Sequence, residues 1–83
     1  MKARYKTIEV TYLKFTNTPE NLNELEDFMG DTKYTIDNTN VDEPELNIDD
    51  FTDAYLNDYI VCEEGEYNTY GEVEFNEMFD KID

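Results

Sequence analysis

From Tyr34 to Asp80, between Lys33 and Lys81, the chain holds fifteen acids and no Lys or Arg. A disordered polyanion would lack large apolar residues, because those drive collapse. Here they are threaded through the charge: Tyr34, Ile36, Leu46, Ile48, Phe51, Tyr55, Tyr59, Ile60, Val61, Tyr67, Phe75 and Phe79 among others. The stretch therefore predicts a folded domain that carries a large negative surface.

Size and charge bound what that domain can do. The chain has 83 residues, which predicts one domain spanning 1–83. A chain this short buries roughly 60–65% of its unfolded surface, so its core is modest. Six bases against 22 acids give a formal charge of −16. Self-repulsion of that size opposes compaction, more so as salt is removed. It also repels nucleic acid and anionic lipid, so neither is an expected partner. A basic protein surface is the natural one. Cys62 is the only cysteine. It fits a reducing compartment and reads as a small buried hydrophobe within Tyr59-Ile60-Val61-Cys62. No apolar N-terminal run suggests a signal peptide or membrane span, so the expected location is the cytoplasm.

Read in order, the first fourteen residues carry Lys2, Arg4, Lys6 and Lys14 against Glu9, a charge of +3 that leaves −19 for the rest. Tyr5 to Phe15 is rich in β-branched and aromatic residues and predicts a strand. Ile8, Val10 and Tyr12 share one face, Leu13 and Phe15 the other, so the strand should be central or covered on both sides. Thr18 and Pro19 suit the N-cap and first position of a helix. Leu22, Leu25, Phe28 and Met29 form its apolar stripe, and Gly30 ends it in the left-handed conformation. Lys33–Ile36 reads as a short strand, Asp37–Asn40 as a turn, and Asp42–Glu45 as an acidic loop containing Pro44. Leu46–Phe51 alternates, with Leu46, Ile48 and Asp50 on one face. Tyr55–Glu63 predicts the best later strand, Glu64-Gly65 a turn, and Tyr67–Tyr70 a further short strand. Phe75, Met78, Phe79 and Ile82 predict a last helix from about Glu72. The class is α+β, a small antiparallel sheet with two short helices in the order β-α-β-β-β-(β)-α.

Several short motifs resemble a family of small phage and prophage proteins with a Gly-Asp-Tyr type C-terminal signature, the PGDYG-like group. They are the basic strand Lys2–Val10, the helix end Phe28-Met29-Gly30, Asp58-Tyr59-Ile60-Val61, Gly65-Glu66-Tyr67, and a closing segment with Phe75 and Phe79. Asn57 stands where the signature has glycine. The resemblance covers most of the chain and implies a phage origin and this order of elements. It brings no catalytic or binding residue with it.

The chemistry of an enzyme is missing from the sequence. With no His, nucleophile–His pairs and His–metal sites drop out. There is no Gly-rich phosphate loop. Asp49/Asp50 and Glu63/Glu64 are adjacent carboxylates, but neighbours on a strand point to opposite faces and pair poorly for acid–base work. Asp37-x-Thr39-x-Val41 lacks the third ligand and the glycine of a calcium loop. No catalytic residue, metal or cofactor is expected.

What remains is the acidic field. One reading makes it only solubilising, on a phage structural or accessory interaction protein; halophilic adaptation is another, against which the many Tyr, Phe and Ile residues argue, and a structural or assembly role in the virion, with self-association or capsid binding of little salt dependence, is a further one. The sharper reading is mimicry of DNA. Duplex DNA carries one charge per about 1.7 Å of axis. Carboxylates at strand period two stand about 6.6–6.8 Å apart, and helical i, i+4 pairs about 5–6 Å at Cβ. A folded acidic surface can thus offer charge where Lys and Arg of a DNA-binding protein expect phosphate. The expected phosphate-mimicking set is Asp42, Glu43, Glu45, Asp49, Asp50, Asp53, Asp58, Glu63, Glu64 and Glu66, with Tyr67 and Tyr70 as aromatic anchors. The partner would be a basic DNA-binding host protein such as a nucleoid protein, nuclease, Cas effector, glycosylase or polymerase. The chain itself would act as a monomer or homodimer.

Overall fold

Both faces of the strand around Val10 and Leu13 are apolar, and the fold uses both. The computed structural model describes residues 2–5, 8–40, 42–49 and 52–81, and places the strand β2 (Ile8–Lys14) at the centre of a five-stranded antiparallel sheet. Its neighbours are β1 (Lys2–Tyr5) and β6 (Tyr59–Glu63), with β8 (Asp80–Lys81) and β7 (Glu66–Tyr70) at the edges, in the order β7-β6-β2-β1-β8. A second antiparallel sheet has three strands in sequential order: β3 (Tyr34–Asp37), β4 (Glu45–Ile48) and β5 (Thr52–Tyr55). Helices α1 (Pro19–Met29) and α2 (Glu72–Met78) complete the α+β domain.

Each face of the five-stranded sheet has its own core. On one side Leu13, Phe15 and Ile60 meet Leu25 and Met29 of α1 and the inner face of the second sheet, Leu46, Ile48 and Ala54. On the other, Val10, Tyr12, Tyr59 and Val61 meet Ala3, Phe75 of α2 and Phe79. Phe75 is fully buried there, stacked on Tyr59 with centroids 4.1 Å apart and on Phe79 at 5.0 Å. The edges β5 and β7 adjoin, and the Thr69 hydroxyl donates to the Asp53 carbonyl at 2.9 Å.

The structure adds to the elements read from the sequence and corrects some bounds. The basic N-terminal segment is two strands, paired so that Ala3 faces Val10. The expected strand from Tyr55 to Glu63 is broken. Tyr55 ends β5, and the chain turns through Leu56 and Asn57 before β6 begins. The turn is locked because Asp58 accepts the Tyr55 N–H on its carboxylate at 2.9 Å, and Asn57 takes φ 72. Asparagine is among the few non-glycine residues that tolerate this region. The last helix stops at Met78, because Phe79 turns extended (φ −125, ψ 144) to stack on Phe75, and the chain then pairs with β1. Gly30 has the expected positive φ of 59, but its ψ of −119 lies outside the left-handed helical basin, in territory open to glycine alone. Phe51, Asp50 and Ile82 lie outside the described residues.

The entry to α1 depends on one buried polar side chain. Thr18 caps the helix by accepting the Asn21 N–H at 3.1 Å. The Asn21 amide, itself 6% exposed, donates to the Lys14 carbonyl at 2.6 Å and accepts the N–H groups of Thr16 and Asn17 at 2.9 and 3.1 Å. It ties the end of β2 to the helix. In Asn21→Ala three backbone groups lose their partner. At about 1–3 kcal/mol for each buried polar group left unsatisfied, partly offset by water, a loss of about 2–3 kcal/mol is expected. Urea denaturation checks this, and a change under about 0.5 kcal/mol would mean that solvent replaces the amide freely.

Candidate partner-binding surface

The second sheet turns its apolar face inward and its acids outward. The pairing register fixes which acids share that outer face. Asp37 lies opposite Glu45 and Glu45 opposite Tyr55; in the next row Thr35 lies opposite Asn47 and Asn47 opposite Asp53. Strands are about 4.7–4.9 Å apart and same-face neighbours along a strand about 6.6–6.8 Å. Three carboxylates therefore occupy a six-position grid of those dimensions. Asn47 organises two of them. With its amide nitrogen facing the acids, it donates to Glu45 Oε1 at 3.2 Å and also to Asp53 Oδ1. One neutral side chain with two N–H donors thus holds two like charges in fixed places. Asp37 accepts from the Thr39 hydroxyl and N–H at 2.5 and 2.9 Å, and these bonds hold its carboxyl below the usual carboxylate range.

The rest of the expected set, where described, lies in loops and turns and on the β6–β7 end of the other sheet. Asp42 and Glu43 are exposed in the loop before β4. Asp58, half-buried, holds the turn after β5. Asp49 is exposed after β4, where its N–H donates to the Lys33 carbonyl at 3.0 Å. Glu63, Glu64 and Glu66 are exposed around the β6–β7 turn, and Glu63 pairs opposite Glu66. The two turns meet across a cleft of about 370 Å³ lined by Ile48, Asp49, Thr52, Glu66, Tyr67 and Asn68. Among the described residues, no three Cys, Asp or Glu side chains gather as metal ligands, so these acids form a spread field.

Most of the described bases lie on the other sheet. Of the five described, Lys2, Arg4, Lys14 and Lys81 are on β1, β2 and β8, and Lys33 directly precedes β3. Lys14 reaches Glu72 at 3.4 Å, an exposed pair worth little. Lys81 donates to the Tyr59 hydroxyl at 3.3 Å, which raises its pKa.

The aromatics divide differently from the sequence expectation. Tyr67 is half-buried. It stands edge-on to Phe28, and its hydroxyl donates at 3.2 Å to the carbonyls of Phe28 and Met29. Tyr70 packs edge-on against Phe79. Neither ring stands free. Tyr55 does, at 49% exposure, with Leu56 beside it at 40%. The sequence reading passed over Tyr55 by making it the start of a strand to Glu63. The signal was the small Ala54: with Ala54 inward, period two puts Asp53 and Tyr55 outward together.

The field around Tyr55 has a measurable consequence. Its phenol is pushed above the ordinary tyrosine range by the Glu45 carboxylate across the strand pair, then by partial burial and by Asp53, Asp58 and Glu43. NMR titration of the ring should place its midpoint above the ordinary value near 10, with the shift shrinking in added salt and in Glu45→Gln. The folded chain holds this proton more tightly than the unfolded one. The associated stability is full below the unfolded tyrosine pKa and is lost as pH rises through the folded value. An unshifted midpoint at low salt would show that the carboxylates do not act on Tyr55.

No protein-family model, curated protein or solved structure matches the chain. None of the described helices is long and apolar enough to cross a membrane.

Proposed function

We propose that this chain is a phage-encoded acidic mimic of DNA, which binds a basic DNA-binding protein of the host and occupies its DNA site. The observation that carries the reading is the opposition of like charges. Asp37 faces Glu45 across β3–β4, and Glu63 faces Glu66 across β6–β7. Directly opposed like charges destabilise a sheet. A surface needed only for solubility does better with mixed signs. Retaining the acids in register, with Asn47 holding two of them in place, fits a surface shaped for a cationic partner. The placing of four of the five described bases on β1, β2 and β8 supports the same reading, because it leaves Lys33, ahead of β3, as the one described base beside the second sheet and the net field there negative. Such a field steers a basic partner to fast, salt-sensitive association.

The test is competition. The tagged chain is incubated with bacterial lysate at low salt, and its captured partner is challenged with duplex DNA and, separately, with salt. Release of a DNA-binding protein by both supports mimicry. A partner that duplex DNA cannot displace would refute it.

A further inference from the structure

The outer face of the second sheet combines three features that no other surface among the described residues shares. It presents an exposed aromatic ring, Tyr55. Carboxylates surround that ring by register and by turn geometry: Glu45 opposite on β4, Asp53 two residues back on the same face, and Asp58 bonded to the Tyr55 N–H. Two of those carboxylates are already held in place by Asn47, so ordering them for a partner costs little entropy.

These features select one kind of group. A cation is attracted to the ring face and to the acids together. Lysine meets this as a strongly hydrated point charge. Arginine meets it with a planar, weakly hydrated guanidinium that stacks on an aromatic face while its five N–H donors reach carboxylates at the rim. Deoxyribose-phosphate offers nothing like the ring, so this contact would add to charge mimicry.

We propose that Tyr55 is the platform on which an arginine side chain of the basic partner docks, with Glu45 and Asp53 accepting its N–H groups. The proposal rests on the reading of the partner as a basic protein, and it names the residue type that this face selects.

The full chain is titrated at low salt with two probes, nona-arginine and nona-lysine, and followed by NMR. Nona-arginine is expected to bind about two- to fivefold more tightly than nona-lysine, the range of one exposed cation–π contact. The largest shifts should fall on Tyr55, Glu45 and Asp53. Tyr55→Phe keeps the preference. Tyr55→Leu keeps the nona-lysine affinity and loses the preference; the side chain is exposed, so the fold should survive, and the amide spectrum confirms it. Equal binding of the two peptides, a preference that persists in Tyr55→Leu, or shifts centred on α1 or α2 would each overturn the platform. These outcomes are separable from the fate of the mimicry reading. Peptides bound without preference sink the platform and leave mimicry standing, whereas a partner that duplex DNA fails to displace sinks mimicry even where the arginine preference holds.

Discussion

A triple variant, Glu43→Lys with Glu45→Lys and Glu66→Lys, is expected to lose at least about 100-fold in affinity for the basic partner while becoming no less stable. The two halves of this result have different causes. Three reversals of two charges each take the formal charge from −16 to −10. Close charge pairs across an interface contribute about 1.5–7 kcal/mol of coupling, so replacing attraction by repulsion at several of them moves affinity by orders of magnitude. Much of the loss should fall on the association rate, because the field that steers encounter is weakened. Stability should move the other way. Glu45→Lys converts its pairing with Asp37 from like to opposite charge, and Glu66→Lys does the same with Glu63. Each exchange replaces a repulsion across the strand pair by an attraction, a small gain at an exposed site. Asp53 and Asp58 are left untouched, since Asp53 keeps an acceptor for the Asn47 amide once Glu45→Lys removes the other, and Asp58 locks the turn at Tyr55. Binding kinetics at two salt concentrations and a thermal melt decide the matter. Unchanged affinity would mean that the acids are solubilising only. Lost stability would mean that the pairings were read wrongly.

Phe75→Ala is expected to remove about 3–5 kcal/mol, enough to unfold most of the chain at low salt. Phe75 is fully buried, stacked between Tyr59 and Phe79, with Tyr12 at 5.0 Å on a tilted approach. It joins α2, the residue that leads from it into β8, and the central strands β2 and β6. Truncating a buried Phe typically costs about 3–5 kcal/mol. A domain of this size has roughly 4–12 kcal/mol in all, and repulsion among its acids lowers that further as salt is withdrawn. The melting temperature should fall by about 15–30 °C, with partial recovery in high salt. Phe75→Leu, which keeps most of the volume, should lose far less. A loss under about 1 kcal/mol in Phe75→Ala would show that the second core is dispensable.

The parts of the fold that read directly from the sequence are those whose signals are local. Helix α1 announces itself at both ends, with Thr18-Pro19 at one and Gly30 at the other, and its stripe packs as the spacing says. β2 declared two covered faces. The misses share a physical cause. β1 pairs with the adjacent β2, and β8 pairs with β1 across almost the whole chain, Ala3 with Lys81; a four-residue and a two-residue strand leave no periodicity to read. Phe79 continues the helical spacing of Phe75 and Met78, yet its best contact is reached by leaving the helix. Likewise, alternation in β4 and β5 shows that each has an acidic face. It does not show that Glu45, Asp53 and Asp37 form one grid, because that depends on which strands pair and in what register. The exposure of most of the acidic set was therefore legible, and its arrangement around Tyr55 was not.

The strand order also dictates the sequence of events by which such a chain can assemble. β3, β4 and β5 follow one another and pair as they emerge, so their contacts close only short loops. β2 must wait for Tyr59–Glu63 to find its second neighbour, and β1 for Asp80–Lys81. Closing those long loops is the entropically expensive part, and domains dominated by such non-local pairings fold in milliseconds to seconds. The acidic grid thus belongs to the half of the molecule with cheap, local topology. The two cores depend on the distant pairings, which set the height of the folding barrier.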